Sequence, residues 1–446
     1  MFPRCLILLC ACLPSASAWG QVLSAGVAEV DITPPIGNRM AGYFDERIST
    51  GTHDPLHAKA LVLRQGRTEV ALVFSDLIGL SLNVTTNARA RAAVQTGIPV
   101  ANIMISATHC HTGPLFDDVR GYYFHRKALA ATGADEHQTI EYPAWLIGRF
   151  VRVIADAQAN LRPAQLLVGT APLEGIAFNR RYWMKDGSVH FNPGQLNPNI
   201  LRPAGPTDPV AGILLVRAPW AQMPFAGVTI FGLHSDTVGG TLYSADYECY
   251  LEQTLQQAFG SNYLSAWGLG PSGDINHINV KKREPVSGFS VSERIGRALG
   301  EAILAAWPNL ELLARPSLAV RHKTLRIPLQ KPTSVQLAAA HALIGRLADT
   351  NLDFYARVAT VKTLDLEQRG RFLPMEVQAF RFDADTALVC LPGEIFAELG
   401  LTIKKISPFK RTFVMTVCND RPSYVPTPGT GELLVKASLD LLKRLR

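Results

Sequence analysis

The stretch Ile103-Met104-Ile105-Ser106-Ala107-Thr108-His109-Cys110-His111-Thr112-Gly113-Pro114 constrains the chain more than any other. Its apolar, β-branched start predicts a buried strand, and Gly113-Pro114 predicts the turn that follows. Two histidines one residue apart stand between them. Along a strand, residues i and i+2 point to the same side. His109 and His111 are therefore expected to face one cleft, with Cys110 packed behind them. Neutral imidazole suits zinc, but two polar residues in a loop give the same pattern, so His-x-His alone is only the beginning of a metal site.

Two more apolar runs stop on a ligand-type residue. Val228-Thr229-Ile230-Phe231-Gly232-Leu233 runs into His234, and residues 386–391 run through Pro392-Gly393 into Glu394. Strand ends on one sheet edge are where α/β proteins hold ligands. Two histidines and a glutamate with an open position form a known catalytic zinc set. The three are far apart in sequence, so spacing does not itself bring them together.

The remaining pattern predicts an α/β (mixed α+β) fold. The 446 residues are 47% hydrophobic and 18% charged, enough for a large core, and no Gly/Ser-rich or charged linker interrupts them. One catalytic domain is expected over residues 19–446, with mixed β-sheets flanked by helices and the metal site at strand ends. Residues 25–35 read as a strand, and residues 59–63 and 69–74 as a hairpin about Arg64-Gln65-Gly66-Arg67. A second hairpin is expected about Asp383-Ala384-Asp385. Residues 84–94, 142–161, 246–259, 293–306 and 335–347 read as helices. Residues 115–138, with Tyr122, Tyr123 and Phe124, have weak periodicity and are expected to cover the site as a lid. Asp76, at a strand end, reads equally as support for a metal ligand or as a cap. Arg180 and Arg181, flanked by aromatics, read as a substrate grip or a surface ion pair. Residues 271–277 form a glycine-rich turn suited to oxyanion contacts. No internal repeat is visible.

Met1-Phe2-Pro3-Arg4, an apolar run to Leu13 and Ala16-Ser17-Ala18 read as a signal peptide over residues 1–18, cleaved near Ala18, so the protein is expected to be secreted or periplasmic. Leu9-Cys10-Ala11-Cys12 faintly resembles a lipoprotein processing site. Cys110, Cys249, Cys390 and Cys418 remain beyond the leader, too few for a disulfide framework, though one bridge is admissible after export. The net charge of +7 is scattered. It excludes a nucleic-acid stripe and admits peripheral contact with an anionic membrane surface.

Taken together, Ser106 to Pro114, Asn179-Arg180, Gly232-Leu233-His234, Gly273-Asp274, Leu391 to Glu394, Asn419-Asp420 and Tyr424-Val425 resemble, in order, the motifs of the neutral (alkaline, non-lysosomal) ceramidases. The resemblance implies a zinc amidohydrolase with one Zn2+ per chain, held by His109, His234, Glu394 and Tyr424. His111 would be the acid/base histidine beside the metal, Arg180 would contact substrate, and a zinc-activated water would attack an N-acyl, ceramide-like amide. The family's C-terminal immunoglobulin-like domain is not expected. Asn276 stands where the family has serine, and the tyrosine-rich segment after Tyr424 is replaced by Thr427-Pro428-Gly429-Thr430-Gly431-Glu432. Asparagine has no hydroxyl to form an acyl-enzyme, so Asn276 is expected to assist catalysis by hydrogen bonding. The alternatives are the same zinc chemistry on another amide or ester, and a non-catalytic binding protein that keeps the fold.

Overall fold

Residues 22–426 and 429–446 are described by a computed structural model of the chain. The leader over residues 1–18, with Cys12, lies outside the described residues.

Three larger sheets use one local device. In the first, β1 (Ser24–Asp31), β2 (His57–Gln65) and β3 (Thr68–Ser75) are antiparallel, and β2 and β3 form the expected hairpin. A crossover helix, α1 (Leu82–Thr96), then delivers β4 (Ile103–Ala107) parallel to β3 at the sheet edge. Parallel strands need such a crossover. Here Ser81 caps the helix start by accepting the Val84 amide, and Gly97 ends it in the left-handed conformation. α2 (Val119–Thr132) and α3 (Tyr142–Ala159) follow.

The second sheet repeats the plan. β5 (Gln165–Pro172), β6 (Val210–Arg217) and β7 (Ala226–Phe231) are antiparallel. α4 (Tyr247–Phe259) then leads to β8 (Leu264–Leu269), which is parallel to β7 at the edge, and α5 (Phe289–Ala306) follows. The third sheet begins with β9 (Ala319–Pro328), then a detour through α6 (Ser334–Leu343) and α7 (Phe354–Gln368). β10 (Phe372–Arg381) and β11 (Thr386–Cys390) form the second expected hairpin. α8 (Ala397–Ile406) crosses to β12 (Arg411–Met415), parallel to β11 at the edge, and α9 (Thr430–Leu445) closes the chain.

Side-chain alternation buries both faces of each sheet. Leu61, Leu72, Leu214, Val228, Phe380 and Phe413 point into one core shared by the three sheets. Ala60 and Val62, of the opposite phase on β2, pack under α1 and α3. α4 and α5 cover the outer face of the second sheet, and α8 and α9 that of the third. Each leucine buried in the shared core contributes about 1.5–3 kcal/mol. The parallel edges meet through backbone bonds from Thr416 to Leu269 (2.8 Å) and from Asn419 to Ile105 (2.7 Å). The carboxyl ends of three parallel strand pairs thus open onto one place.

Some expectations are corrected. Residues 115–138 contain the regular helix α2, whose Tyr123 packs against α6 and α7 and whose Phe124 is buried beneath Arg39. α7 and α9 are helices that the periodicity reading did not assign. Their hydrophobic patterns differ: α7 buries only Thr360 and Leu364, whereas α9 lays a full apolar stripe on the third sheet. Cys110, Cys249, Cys390 and Cys418 are free thiols, with Cys110 in the core as expected. Among the described residues no helix is long and apolar enough to cross a membrane.

Candidate metal centre

β4 ends at Ala107, so strand alternation does not place the histidine pair. His109 adopts φ +72, a left-handed conformation rare outside glycine. The kink is held by the His109 amide donating to Leu77 O at 2.9 Å and by its ring Nδ1–H donating to Ile78 O at 2.6 Å. His234, three residues beyond β7, donates its Nδ1–H to Ser272 O at 2.9 Å. Glu394 lies beyond β11 and pairs in parallel register with Tyr424, which lies beyond β12. One ligand-type residue or more thus comes from each repeated unit.

The two committed Nδ1 atoms leave the ring lone pairs on Nε2, and the two Nε2 atoms stand 3.1 Å apart. Glu394 Oε2 is buried without a hydrogen-bond partner, 3.3 Å from His109 Nε2 and 3.4 Å from His234 Nε2. Donors about 2.0–2.1 Å from a tetrahedral zinc stand about 3.3 Å apart. Carbonyls behind the imidazoles are the usual support for ligating histidines. The donor set therefore fits a zinc-type cation.

His111 Nε2 is 3.4 Å from His109 Nε2, and the three histidines form one compact group able to hold a metal. The other ring nitrogen of His111 is buried, 3.5 Å from Asp236 Oδ1, and Asp236 accepts from the Tyr43 hydroxyl at 2.7 Å. Burial, with the neighbouring His109, holds the His111 pKa well below its usual value. Burial and the Arg180 charge bring His234 down to about 3. Burial raises the Glu394 pKa, and the adjoining His109 and His234 lower it, with the net shift downward. Burial and the Glu394 charge raise Tyr424.

Arg180 is buried at this centre, so the surface ion-pair reading is excluded. Its Nη2 donates to Gly273 O at 2.6 Å and to the Tyr424 hydroxyl at 3.2 Å, and lies 3.1 Å from His234 Nε2. The neighbouring motif residues build the frame. Asp274 accepts from Asn179 Nδ2 at 2.8 Å and from the Ala397 amide at 2.9 Å, tying the Arg180 segment to α8. Asn419 Oδ1 accepts from the Ile105 amide at 3.0 Å and staples β4 to the loop after β12.

Asn276 hydrogen-bonds outside the cluster: its Nδ2 donates to Asn192 Oδ1 at 2.8 Å and its Oδ1 accepts from the Ile278 amide at 3.1 Å. Asp76 accepts from the His57 amide at 2.8 Å and so acts as a backbone cap; burial raises its pKa to about 6. Tyr43 and Asp236 were not singled out in the sequence. A carboxylate two residues after His234 was the available signal for Asp236.

Gly42 offers a stability test. Its φ is +111, and a Cβ there would lie 2.4 Å from His111 O. Gly42→Ala is expected to cost at least about 1–3 kcal/mol from backbone strain, read as a lower denaturant midpoint at unchanged slope. An unchanged midpoint would mean that this contact is not tight.

Residues 23–189 match the family model described as neutral/alkaline non-lysosomal ceramidase, N-terminal. No curated protein sequence matches the chain. A crystal structure of neutral ceramidase from Pseudomonas aeruginosa superposes with a TM-score of 0.69 at 20% identity, over 95% of this chain and 75% of that one. The fold is that of neutral ceramidase. A ceramidase complexed with C2 gives a TM-score of 0.70 at 19% identity, over 96% of this chain and 75% of that one. The resemblance read from the motifs thus holds over the first part of the chain by sequence and over nearly all of it by fold. Of the motif residues, His109, His111, Arg180, His234, Gly273, Glu394 and Tyr424 gather at the candidate metal centre.

Proposed function

We propose that the chain is an exported, zinc-dependent hydrolase of N-acyl amides, acting on a ceramide-like lipid. The relationship to the ceramidases supports a hydrolase of that type. The observation that carries the metal chemistry is the meeting of His109 Nε2, His234 Nε2 and Glu394 Oε2 at 3.1–3.4 Å with both Nδ1 atoms committed elsewhere. Tyr424 completes the proposed ligand set. The export proposal rests on the sequence pattern of residues 1–18 alone.

When bound, zinc supplies Lewis-acid polarisation of the acyl oxygen and lowers the pKa of a water to about 7. The chain supplies the remainder. His111 holds Nε2 beside the cluster, where it can take a proton and return it to the leaving amine. Asp236 and Tyr43 lie behind its other nitrogen and orient the ring. Arg180, fixed by Gly273, presents its guanidinium where an acyl or hydroxyl oxygen would dock. Asn276 retains one amide proton after bonding Asn192, and that donor is its proposed catalytic contribution.

Hydrolysis should then proceed without an acyl-enzyme. Rapid-quench kinetics on an acyl amide are expected to show no burst of amine, and mass spectrometry no acyl adduct. Asn276→Ala is expected to slow turnover by about two orders of magnitude at unchanged zinc content. An adduct on any side chain of residues 274–277 would overturn the water mechanism. A metal-replete protein that cleaves no acyl amide or ester in a broad panel would overturn the hydrolase reading.

A further inference from the structure

Phe354, the first residue of α7, is 46% exposed, and its ring touches Phe191 and Phe44, each adjacent to residues at the metal centre. It stacks on Phe191 with centroids 5.7 Å apart and planes at 7°, and meets Phe44 edge-on at 5.8 Å. Phe191 in turn lies under the Arg180 guanidinium at 4.9 Å. Phe44 follows Tyr43, whose ring meets His111 edge-on at 6.0 Å. Three aromatic rings from distant parts of the chain therefore form a continuous apolar wall. It runs from the Arg180 guanidinium out to the helical detour of α6 and α7. Nearly half of the Phe354 surface stays open beside these rings.

We propose that Phe44, Phe191 and Phe354 form the binding subsite for the apolar chain of the substrate, with Phe354 setting the preference for long chains. The inference rests on the function proposed above and identifies which end of an amphiphilic amide the chain grips, and where. Polar groups of the substrate face Arg180 and His111, and the methylene chain lies along the rings toward solvent. The predicted lid at residues 115–138 has a different part: α2 props the α6–α7 detour through Tyr123.

The test compares hexadecanoyl and acetyl amides on metal-replete protein carrying Phe354→Ala, Phe354→Leu or the control Val335→Ala on α6, where the side chain is 78% exposed. Phe354→Ala is expected to lower kcat/KM for the hexadecanoyl substrate by about tenfold, through KM, the order expected for loss of one aromatic contact. It should leave the acetyl substrate within about twofold, Phe354→Leu should recover most of the loss, and Val335→Ala should change neither. Equal losses on both substrates, or none on either, would overturn the subsite. If the wild-type protein cleaves neither amide, the function reading fails separately and calorimetry with hexadecanoate and acetate decides the subsite. Weaker hexadecanoate binding by Phe354→Ala would support it, and unchanged binding would overturn it.

Discussion

One zinc ion per chain is the expected result of elemental analysis on the purified protein, and His234→Ala is expected to hold none. The reason is geometric. His234 Nε2 stands 3.1 Å from His109 Nε2 and 3.4 Å from Glu394 Oε2, and its orientation is set by the bond to Ser272 O. Alanine removes one of the two imidazoles that meet Glu394, and Arg180 beside it, a cation, cannot take its place. Turnover should fall by about three orders of magnitude or more, since several kcal/mol of charge stabilisation goes with the ion and about 1.4 kcal/mol is tenfold in rate. His109→Ala should behave alike. Chelation of the wild-type protein should abolish activity, and added zinc should restore it. Full zinc occupancy in both variants, with native circular dichroism, would remove the metal centre as drawn.

His111→Ala is expected to separate metal from turnover: zinc retained, and the rate down by about two to four orders of magnitude, the usual contribution of a general acid or base. The proposed set of His109, His234, Glu394 and Tyr424 is complete without His111. His111 nonetheless sits within the same compact group of imidazoles, with Nε2 3.4 Å from His109 Nε2. Zinc content decides between the two roles. Loss of the ion in His111→Ala would make His111 a ligand and leave the chain without its proposed proton carrier. An unchanged rate at full occupancy would remove His111 from the chemistry.

Much of this site was legible one strand at a time. Largely apolar runs mark β4, β7 and β11, and each stops at a histidine or glutamate, because a strand that leaves the core must change residue type where solvent or a ligand begins. The hairpins of β2 with β3 and of β10 with β11 were legible because their turns are local. α7 was not, since Phe354–Gln368 packs on a small cluster and buries only Thr360 and Leu364, leaving no stripe to read. α9, by contrast, lays a full stripe of Leu434, Leu441 and Leu445 on the third sheet, a pattern present in the sequence.

The sequence by itself determined which residue types end the apolar runs, and therefore that imidazole, carboxylate and guanidinium chemistry was available to this chain. Only the tertiary structure decided that they meet. Each of three sheets sends a crossover helix to a parallel edge strand, and the three edges interlock through Thr416–Leu269 and Asn419–Ile105. That plan recurs without recurring residues, so no repeat shows in the sequence. The kink at His109 is equally a tertiary decision: a φ of +72 is unfavourable for histidine alone, and it persists because the His109 amide donates to Leu77 O and its ring Nδ1–H to Ile78 O. The wall of Phe44, Phe191 and Phe354 joins segments whose proximity no local pattern encodes, since contact between them costs loop entropy that only the packed core offsets.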